Sequence, residues 1–298
     1  MNIGVDLGGT NLRVAMADEN GQLCHVLKTD TPAAAGPEAI VRCISEQVQR
    51  LPDWQIADSI GIGAPGGADI KRGTILMASN LPGMDGYPLV NMLKELLHKP
   101  IYLENDANAA CLGEALAGAG KGFDSMVYLT ISTGIGGGIY DHGRLLRGGR
   151  GFAGEFGCIS VNPCYDSRNQ LPPGAVESEA SGTVLIEKAS ALLGRKVAHA
   201  GEVFSQAAAG NAAMQKIADD FVLHIAVTLS NLACVLDPQL FVLGGGVMNS
   251  SDLFLSSLQQ RFRDMVHEIY KDIPIRMSAL SDAGLIGAAM LSRMESFH

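Results

Sequence analysis

Short apolar runs alternate with amphipathic segments along the whole chain. The apolar, β-branched runs that stop at glycine or polar residues predict strands at NIGVDL, NLRVAMA, SIGIGA, PIYLEN, MVYLTIS, LFVL and IPIRMSAL. Segments with apolar residues at helical spacing predict helices at PEAIVRCISEQVQRL, PLVNMLKELL, ANAACLGEALAGA, SGTVLIEKASALL, AAMQKIADDFVLHIAVTLSNLACVL, DLFLSSLQQRFRDMVHEI and GLIGAAMLSRM. Strands that alternate with helices favour mixed α/β sheets.

One part of this pattern occurs twice. GVDLGGTNLRVAMADENGQL and YLTISTGIGGGIYDHGRLL share an order of strand, glycine turn with threonine, strand, acidic-glycine hairpin turn and strand. The two segments share few identical residues, so the repeat is predicted in their secondary structure and not in their sequence. A duplicated unit predicts two related lobes, and the cleft at such a junction is where small ligands commonly bind.

Composition narrows the class of protein. The 298 residues suffice for two domains, and the net charge is −9 with no cluster of Lys or Arg, which disfavours nucleic acid as a partner. MNIGVDLGG does not read as a secretory leader, and no apolar run reaches the roughly 18 residues of a membrane span. We therefore expect a cytoplasmic protein without a membrane partner. Its six scattered cysteines are expected to be free thiols.

Glycine-rich turns follow three of the predicted strands, at DLGGTN, STGIGGG and LGGGV. Turns without side chains let backbone N–H groups approach an anion, and Thr10 and Thr133 can add hydroxyl donors. One such turn is a weak signal, but three, two of them at matching places in the repeat, indicate a bound polyphosphate. The G-x-G-x-x-G pattern at 61–66 lacks the helix that a dinucleotide site requires, since GADIKRG reads as another turn.

Two aspartates stand where predicted strands end. Asp6 precedes the first glycine turn; it can bond the turn amides, or it can orient Mg²⁺ beside a phosphate through water. Asp106 follows PIYLEN in an N-cap-like position, where capping alone would explain it. It stands among Glu104, Asn105 and Asn108, however, and an aspartate there can also take a proton from an attacking hydroxyl.

With these motifs the chain resembles the ROK family of bacterial sugar kinases and repressors, most closely its glucokinase-like members. The matching segments are DLGGTN, GIGAPGG, ASNLPG, LENDANAACLGEALAGAGKG, LTISTGIGGGI, GFAGEFG, VESEASG and LDPQLFVLGGGV. The resemblance implies an α/β fold of two ribonuclease-H-like lobes of the actin/hexokinase type, with a cleft between them. We expect one lobe at 1–116, completed by the helix at 282–298, and the other at 117–281.

The resemblance also implies an ATP-dependent sugar kinase with Mg²⁺, expected to be a homodimer, and a role for each matching position. Asp106 would be the catalytic base. The sugar would be bound by Gly66, Ser79, Asn80, Asn105, Glu155, Cys158 and Glu177. The nucleotide would be bound by Asp6, Gly8, Gly9, Thr10, Asn11, Thr133, Gly134 and Gly245, with Mg²⁺ near Asp6.

Relatives of this kind usually carry a structural zinc between GE and SG, held by one histidine and three cysteines. By that spacing the positions are Cys158, Arg168, Gln170 and Ala175 here, so one ligand at most remains, and Cys164 could add a second. Zinc needs about four such ligands. We predict that zinc is absent, that a Cys158–Cys164 disulfide does not form, and that packing and hydrogen bonds hold the loop.

The sequence does not identify which sugar is the substrate. ASNLPG and LENDAN favour glucose, and N-acetylmannosamine, fructose and allose are the alternatives. A sugar-sensing repressor of the same family is a second hypothesis; the acidic balance and a start directly at the phosphate turn disfavour it. A catalytically dead sugar-binding protein is a third, and the presence of Asp6, Asp106 and both phosphate turns disfavours it.

Overall fold

The computed structural model describes residues 1–162 and 171–297, with side chains through 294. Its strands are β1 (Asn2–Leu7), β2 (Asn11–Ala17), β3 (Leu23–Asp30), β4 (Ile60–Ala64), β5 (Gly67–Asp69), β6 (Thr74–Leu76), β7 (Ile101–Asn105), β8 (Ser125–Ile131), β9 (Ile135–Asp141), β10 (Arg144–Leu145), β11 (Phe241–Gly244) and β12 (Ile275–Met277). Its α-helices are α1 (Pro37–Gln49), α2 (Leu89–Leu97), α3 (Asp106–Ala117), α4 (Val176–Ala180), α5 (Gly182–Leu193), α6 (Gly201–Ala208), α7 (Ala212–Leu236), α8 (Leu255–Met265) and α9 (Ala283–Ala289).

The two large sheets repeat one topology. The first has the order β3-β2-β1-β4-β7 and the second the order β10-β9-β8-β11-β12. In the first sheet β1, β2 and β3 pair antiparallel, while β4 and β7 join β1 in parallel. In the second sheet β9 and β10 pair antiparallel, and β11 and β12 pair in parallel. The predicted structural repeat is therefore confirmed at the level of strand order.

Three local predictions need correction. The stretch after β4 is not a plain turn, because β5 and β6 form a short antiparallel hairpin there; no helix follows β4, as the rejection of a dinucleotide site required. The helix predicted over DLFLSSLQQRFRDMVHEI is broken, since α8 spans only Leu255–Met265. A separate 3-10 turn follows at Glu268–Tyr270, where the His267 ring accepts the N–H of Ile269. The helices α4 and α6 were not predicted.

The chain divides into two compact units. The first comprises Met1–Tyr128, Gly138–Gly154 and Ser278–His298, and the second comprises Leu129–Gly137 and Glu155–Met277. Two of the four boundaries between these units fall inside β8 and β9. The lobe limits expected from the sequence, 1–116 with 282–298 and 117–281, stay a prediction, because compactness alone does not define a lobe.

Each unit has its own apolar core. In the first unit, fully buried side chains from β1, β2, β4 and α1 meet, among them Ile3, Leu12, Ile44 and Ile62. Burying each such side chain stabilises the fold by about 1.5–3 kcal/mol. The core of the second unit contains the rings of Phe204, Phe221 and Phe254, whose centroids are 4.6–5.2 Å apart. Aromatic clusters of this kind add to the stabilisation given by their buried area.

Helix α9 packs so closely on the first sheet and on α3 that backbone atoms are in direct contact. A Cβ placed on Gly61 of β4 would lie 1.8 Å from the carbonyl oxygen of Ala288. A Cβ placed on Gly287 of α9 would lie 1.7 Å from the carbonyl oxygen of Ala109 in α3. Since no side chain fits at either place, glycine is required at position 61, where β4 meets α9, and at position 287, where α9 meets α3.

Helix α7 is long and apolar enough, by length and composition, to cross a membrane. More than half of its most apolar window, 56 %, is buried inside the structure. Ile225, Ala226 and Leu229, in the middle of the helix, have no solvent exposure. Burial of this extent is typical of a core helix.

Candidate active site

The first glycine turn joins β1 to β2 through Gly8, Gly9 and Thr10, with Asn11 as the first residue of β2. The Gly8 N–H donates to the carbonyl of Asn11 at 2.9 Å, which closes the turn. A Cβ on Gly9 would lie 2.7 Å from the Cβ of Asn80, so the turn packs directly on the segment after β6. The predicted residues Asn80 and Gly9 are thus neighbours in the first unit.

Thr31 supports this turn through two hydrogen bonds, and sequence analysis did not identify it. Its hydroxyl donates to the carbonyl of Gly8 at 2.7 Å, and its N–H donates to the carbonyl of Thr10 at 2.9 Å. Two carbonyls of the turn are therefore engaged by one residue. This fixes the backbone of a loop whose predicted task is to present N–H groups.

Asp6, the penultimate residue of β1, is paired with an arginine. The Nε and Nη2 atoms of Arg13 donate to Asp6 Oδ2 at 3.0 and 2.6 Å, and Nη1 donates to Asp282 Oδ1 at 2.5 Å. Burial acts to lower the pKa of Arg13, but the two carboxylates outweigh it and the pKa is raised. Sequence analysis missed both Arg13 and Asp282. Two carboxylates and one guanidinium leave the cluster with one net negative charge.

The start of α3 differs from expectation in one respect. The N-cap is Asn105, the last residue of β7, whose Oδ1 accepts the N–H groups of Ala107 and Asn108 at 2.9 and 3.0 Å. Asp106 is the first residue of the helix, and its Oδ1 accepts the Ala107 N–H at 2.8 Å. N-capping therefore does not explain Asp106, because its neighbour performs that task.

Gly66 lies beside these residues. The Asn105 Nδ2 group donates to the carbonyl of Gly66 at 3.0 Å. Gly66 has a φ of 85°, and a Cβ there would lie 2.4 Å from the carbonyl of Leu76. Ser79 is exposed in the turn after β6, two residues beyond Met77. The first unit thus brings Gly66, Asn105 and Asp106 together around the first turn of α3.

In the second unit, two of the glycine turns meet. The turn at Thr133 and Gly134 joins β8 to β9, and Ser132 N–H donates to the Gly134 carbonyl at 2.8 Å. Gly245 follows β11 with a φ of 91°, and a Cβ there would lie 2.4 Å from the carbonyl of Ile131. The third turn therefore packs on the end of β8, where the second turn begins.

A pocket of about 480 Å³ opens beside these turns. It is lined by Ser132, Thr133, Gly182, Thr183, Ile186, Ala198, His199, Ala200, Gly201, Gly246, Val247, Asn249 and Ser250. The N-terminus of α5, capped by the side chain of Ser181, starts at this pocket. The N–H groups of the first three residues of α5 already donate to Ser132, Thr133 and Ser181. This helix end therefore favours a phosphorylated ligand in the pocket through its dipole, and not through free N–H groups.

Glu177, on α4, connects two predicted functions. Its Oε2 accepts the N–H of Ile135, the first residue of β9, at 2.6 Å. A Cβ on Gly134 would lie 2.5 Å from the same oxygen, and one on Gly157 would lie 3.1 Å from it. Glu177, which is predicted to bind the sugar, therefore also holds the end of the second phosphate turn.

Glu155 and Cys158 bracket a short 3-10 turn that ends at Cys158. Burial, and after it the negative charge of Glu177, raises the pKa of Glu155. Partial burial, followed by the charges of Glu155 and Glu177, raises the pKa of the Cys158 thiol, although its side chain reaches solvent. Cys158 is therefore a neutral thiol at pH 7, and a weak hydrogen-bond donor.

The structure describes only the two ends of the loop in which relatives usually carry zinc. Arg168, Gln170 and Cys164 lie outside the described residues. The Val161 and Asn162 N–H groups donate to the Gly174 carbonyl at 2.9 and 3.3 Å, and Ala175 is fully buried. Within residues 1–162 and 171–297, no three His, Cys, Asp or Glu side chains form a group able to hold a metal. The absence of zinc stays a prediction.

We expect the purified protein to carry well under one zinc per chain, because at most two thiols are offered where about four ligands are needed. Elemental analysis measures the content. Treatment with EDTA, followed by restored Mg²⁺, should leave activity intact. One zinc per chain would contradict this and would require ligands beyond Cys158 and Cys164.

We compared the sequence and the structure of the chain with those of known proteins. The ROK family matches residues 2–295. The chain belongs to the ROK family. It is 32% identical to a glucokinase of Thermotoga maritima over 97% of this chain and 96% of that protein. The ROK hexokinase of Thermus thermophilus superposes with a TM-score of 0.89 at 33% identity, covering 99% of this chain and 98% of that one.

A ROK glucokinase from Streptomyces griseus, solved in complex with glucose and AMPPNP, superposes with a TM-score of 0.80. It is 32% identical and covers 98% of this chain and 99% of that chain. These likenesses confirm the predicted fold class, an α/β protein with two lobes of the actin/hexokinase type. They do not test the roles of single residues, which stay predictions.

Proposed function

We propose that this ROK protein transfers the γ-phosphoryl group of ATP to a hydroxyl of a hexose, with glucose as the first candidate. The observation that carries the proposal is the full-length likeness to a ROK glucokinase known in complex with glucose and AMPPNP. The phosphate-type turns and the aspartate at the start of α3 agree with it. Localisation in the cytoplasm and a homodimeric state are part of the proposal.

Each unit contains glycine turns of the type that binds nucleotide phosphates. In the second unit, Thr133 lines the pocket of about 480 Å³, which would take the nucleoside and its phosphates. Gly134 and Gly245 directly adjoin its lining residues Thr133 and Gly246. In the first unit, Gly8, Gly9, Thr10 and Asn11 form the turn that Thr31 fixes. Backbone N–H groups in such turns neutralise phosphate oxygens without reorganising during the reaction.

Mg²⁺ fits the cluster at Asp6. The ion prefers oxygen ligands, keeps several of its waters, and is commonly bound by one or two carboxylates together with substrate phosphates. Arg13 compensates one carboxylate of the Asp6–Asp282 pair, so the cluster keeps the single negative charge that attracts a hydrated cation. When bound with ATP, the ion would neutralise charge on the β- and γ-phosphate oxygens.

The sugar would be held by carboxylates and an amide. Glu155 and Glu177 supply acceptors for hydroxyl groups, and Gly66, Ser79 and Asn80 border the sugar side. Asn105 is limited by its own contacts: Oδ1 is committed to two helix N–H groups, so only Nδ2 can still donate to a sugar oxygen. Asn105 is therefore a donor to the sugar, whereas the glutamates are acceptors.

In the reaction, the hydroxyl oxygen of the hexose bonds to the γ-phosphorus while the bond from that phosphorus to the bridging oxygen of ADP breaks. The hydroxyl proton passes to the carboxylate of Asp106. General-base catalysis of this kind typically contributes about 10²–10⁴-fold. The rest of the rate enhancement in phosphoryl transfer comes from positioning and charge neutralisation.

A coupled assay of ADP release against glucose, N-acetylmannosamine, fructose and allose tests the proposal. We expect sugar-dependent ADP release with at least one hexose, and glucose to give the highest kcat/KM. A sugar that binds, as shown by calorimetry, without ADP release would favour the sugar-sensing hypothesis. Operator DNA retention in a gel-shift assay would favour a repressor.

The loss of the zinc pattern predicts an unequal division of sugar recognition. A thiol is a weak donor, so Cys158→Ala should change KM for glucose by less than about threefold. Glu155→Ala removes a charged acceptor and should raise KM by about tenfold or more. Steady-state kinetics and the melting temperature of both variants measure these effects.

If Cys158 only packs in the protein interior, its truncation should lower the melting temperature and leave KM alone. If Cys158→Ala raises KM as much as Glu155→Ala does, without unfolding the protein, the thiol binds sugar and this account of the loop is wrong.

A further inference from the structure

Glu104, the residue before the last in β7, is a buried carboxylate with three hydrogen-bond partners. It is 2% exposed. Its Oε1 accepts the N–H of Asn105 at 3.0 Å and the Nδ2 group of Asn108 at 3.1 Å. Its Oε2 accepts Nε of Arg147 at 2.6 Å. A carboxylate this deeply buried is stable only when it is paired and hydrogen-bonded.

Its backbone and side-chain partners stand on either side of Asp106. Asn105 immediately precedes the aspartate, and Asn108 lies in the same first turn of α3. The Asn108 N–H in turn donates to Asn105 Oδ1 at 3.0 Å. A closed hydrogen-bond network of Glu104, Asn105 and Asn108 therefore surrounds the first turn of the helix. Asp106, the first residue of α3, lies between Asn105 and Asn108 in the sequence.

The charge of Glu104 also fixes the orientation of Asn108. With a carboxylate as neighbour, the amide must present its NH₂ group, because its oxygen would be repelled. The Asn108 Oδ1 atom is consequently left as a buried oxygen with no hydrogen-bond partner among the described residues.

Arg147 connects the network to a loop of the same unit. It follows β10, is one-third exposed, and its carbonyl accepts the N–H of Ala153 at 3.1 Å. The loop then packs on β5: a Cβ on Gly67 would lie 2.6 Å from the ring of Phe152. Gly67 directly follows Gly66, whose carbonyl accepts Asn105 Nδ2. Arg147 thus supports Asn105 from two directions.

We propose that Glu104 and Arg147 are positioning residues that fix Asn105 and Asp106 for catalysis. The inference rests on the proposed function, in which Asp106 is the base and Asn105 a donor to the sugar. The pair acts through these residues and needs no contact with substrate. Displacing a catalytic group by about 1 Å can cost roughly 10²-fold in rate, so a network that fixes one turn of helix matters for turnover.

The test uses Glu104→Gln, Arg147→Met and the double variant, with Arg150→Met as a control on the same loop. Arg150 is exposed. We expect Glu104→Gln and Arg147→Met each to lower kcat for glucose by about 10- to 100-fold, and to leave the Kd of AMPPNP unchanged. The control should keep wild-type kcat.

Stability separates positioning from simple support of the fold. Arg147→Met leaves a buried carboxylate unpaired and should lower Tm by about 5 °C or more. The double variant removes that charge and should regain most of this loss, while kcat stays low because the network is still absent. A kcat that recovers together with Tm would overturn the inference, as would single variants with wild-type kcat.

Failure of the proposed function would look different. A wild-type protein that releases no ADP with any hexose overturns that function and this inference with it. A wild-type protein that is active, together with unaffected variants, overturns the inference alone.

Discussion

Replacing Asp106 with asparagine should reduce kcat by about 10²–10⁴-fold, the usual range for loss of a general base. The amide oxygen can still accept the N–H of Ala107, a bond of 2.8 Å in the native protein, so the start of α3 should keep its shape. An amide cannot take the hydroxyl proton. Binding of sugar and AMPPNP should therefore persist while turnover fails.

The measurement is kcat by coupled assay beside Kd for glucose and AMPPNP by calorimetry. Asp53→Asn is a matched control, since Asp53 is exposed and has a φ of 52°, a conformation that asparagine also accepts. It should match the wild type in every readout. Near-normal kcat in Asp106→Asn would remove this residue from the mechanism.

Substituting alanine for Gly287 should destabilise the protein by about 3 kcal/mol or more, at the upper end of the range for overpacked interiors. The new Cβ would lie 1.7 Å from the carbonyl oxygen of Ala109 and 2.8 Å from the N of Gly113. Both atoms are backbone of α3, so no side chain can move aside. Helix α9 or α3 would have to shift as a whole.

Denaturant unfolding gives the free energy of unfolding for this variant, if it accumulates in soluble form. Gly149→Ala is the control, because a Cβ at that exposed glycine meets no atom within 4 Å. The control should remain within about 0.5 kcal/mol of the wild type, as most surface substitutions do. Wild-type stability of Gly287→Ala would mean that α9 and α3 are further apart than described.

The sequence predicted those features of the fold that local patterns encode. The three-stranded repeats were visible because alternation of short strands, glycine turns and hairpin turns is a property of neighbouring residues. Both sheets then continue in the same strand order. The hairpin of β5 and β6 was missed, since each of its strands has only three residues, too few for any periodicity.

Long-range contacts of the site could not be predicted in this way. Asp282 is 269 residues from Arg13 in sequence, yet the two share a hydrogen bond. The bond from the Ile135 N–H to Glu177 joins residues 42 apart. Nor could spacing decide between Asn105 and Asp106 as the N-cap of α3, because both residue types favour that position. The structure assigns the cap to Asn105, so N-capping does not account for Asp106.

The packing of α9 also sets an order for folding during synthesis. The first unit contains residues 1–128 and 138–154, but it is completed by Ser278–His298, which is synthesised more than 120 residues later. Until then, Gly4 and Gly61 of the first sheet and Gly113 of α3 lack the helix backbone they contact. The nascent chain must therefore hold an unfinished apolar surface while about 120 further residues are made, for roughly 6–24 s at about 5–20 residues per second. The second unit has all of its residues before the first one does.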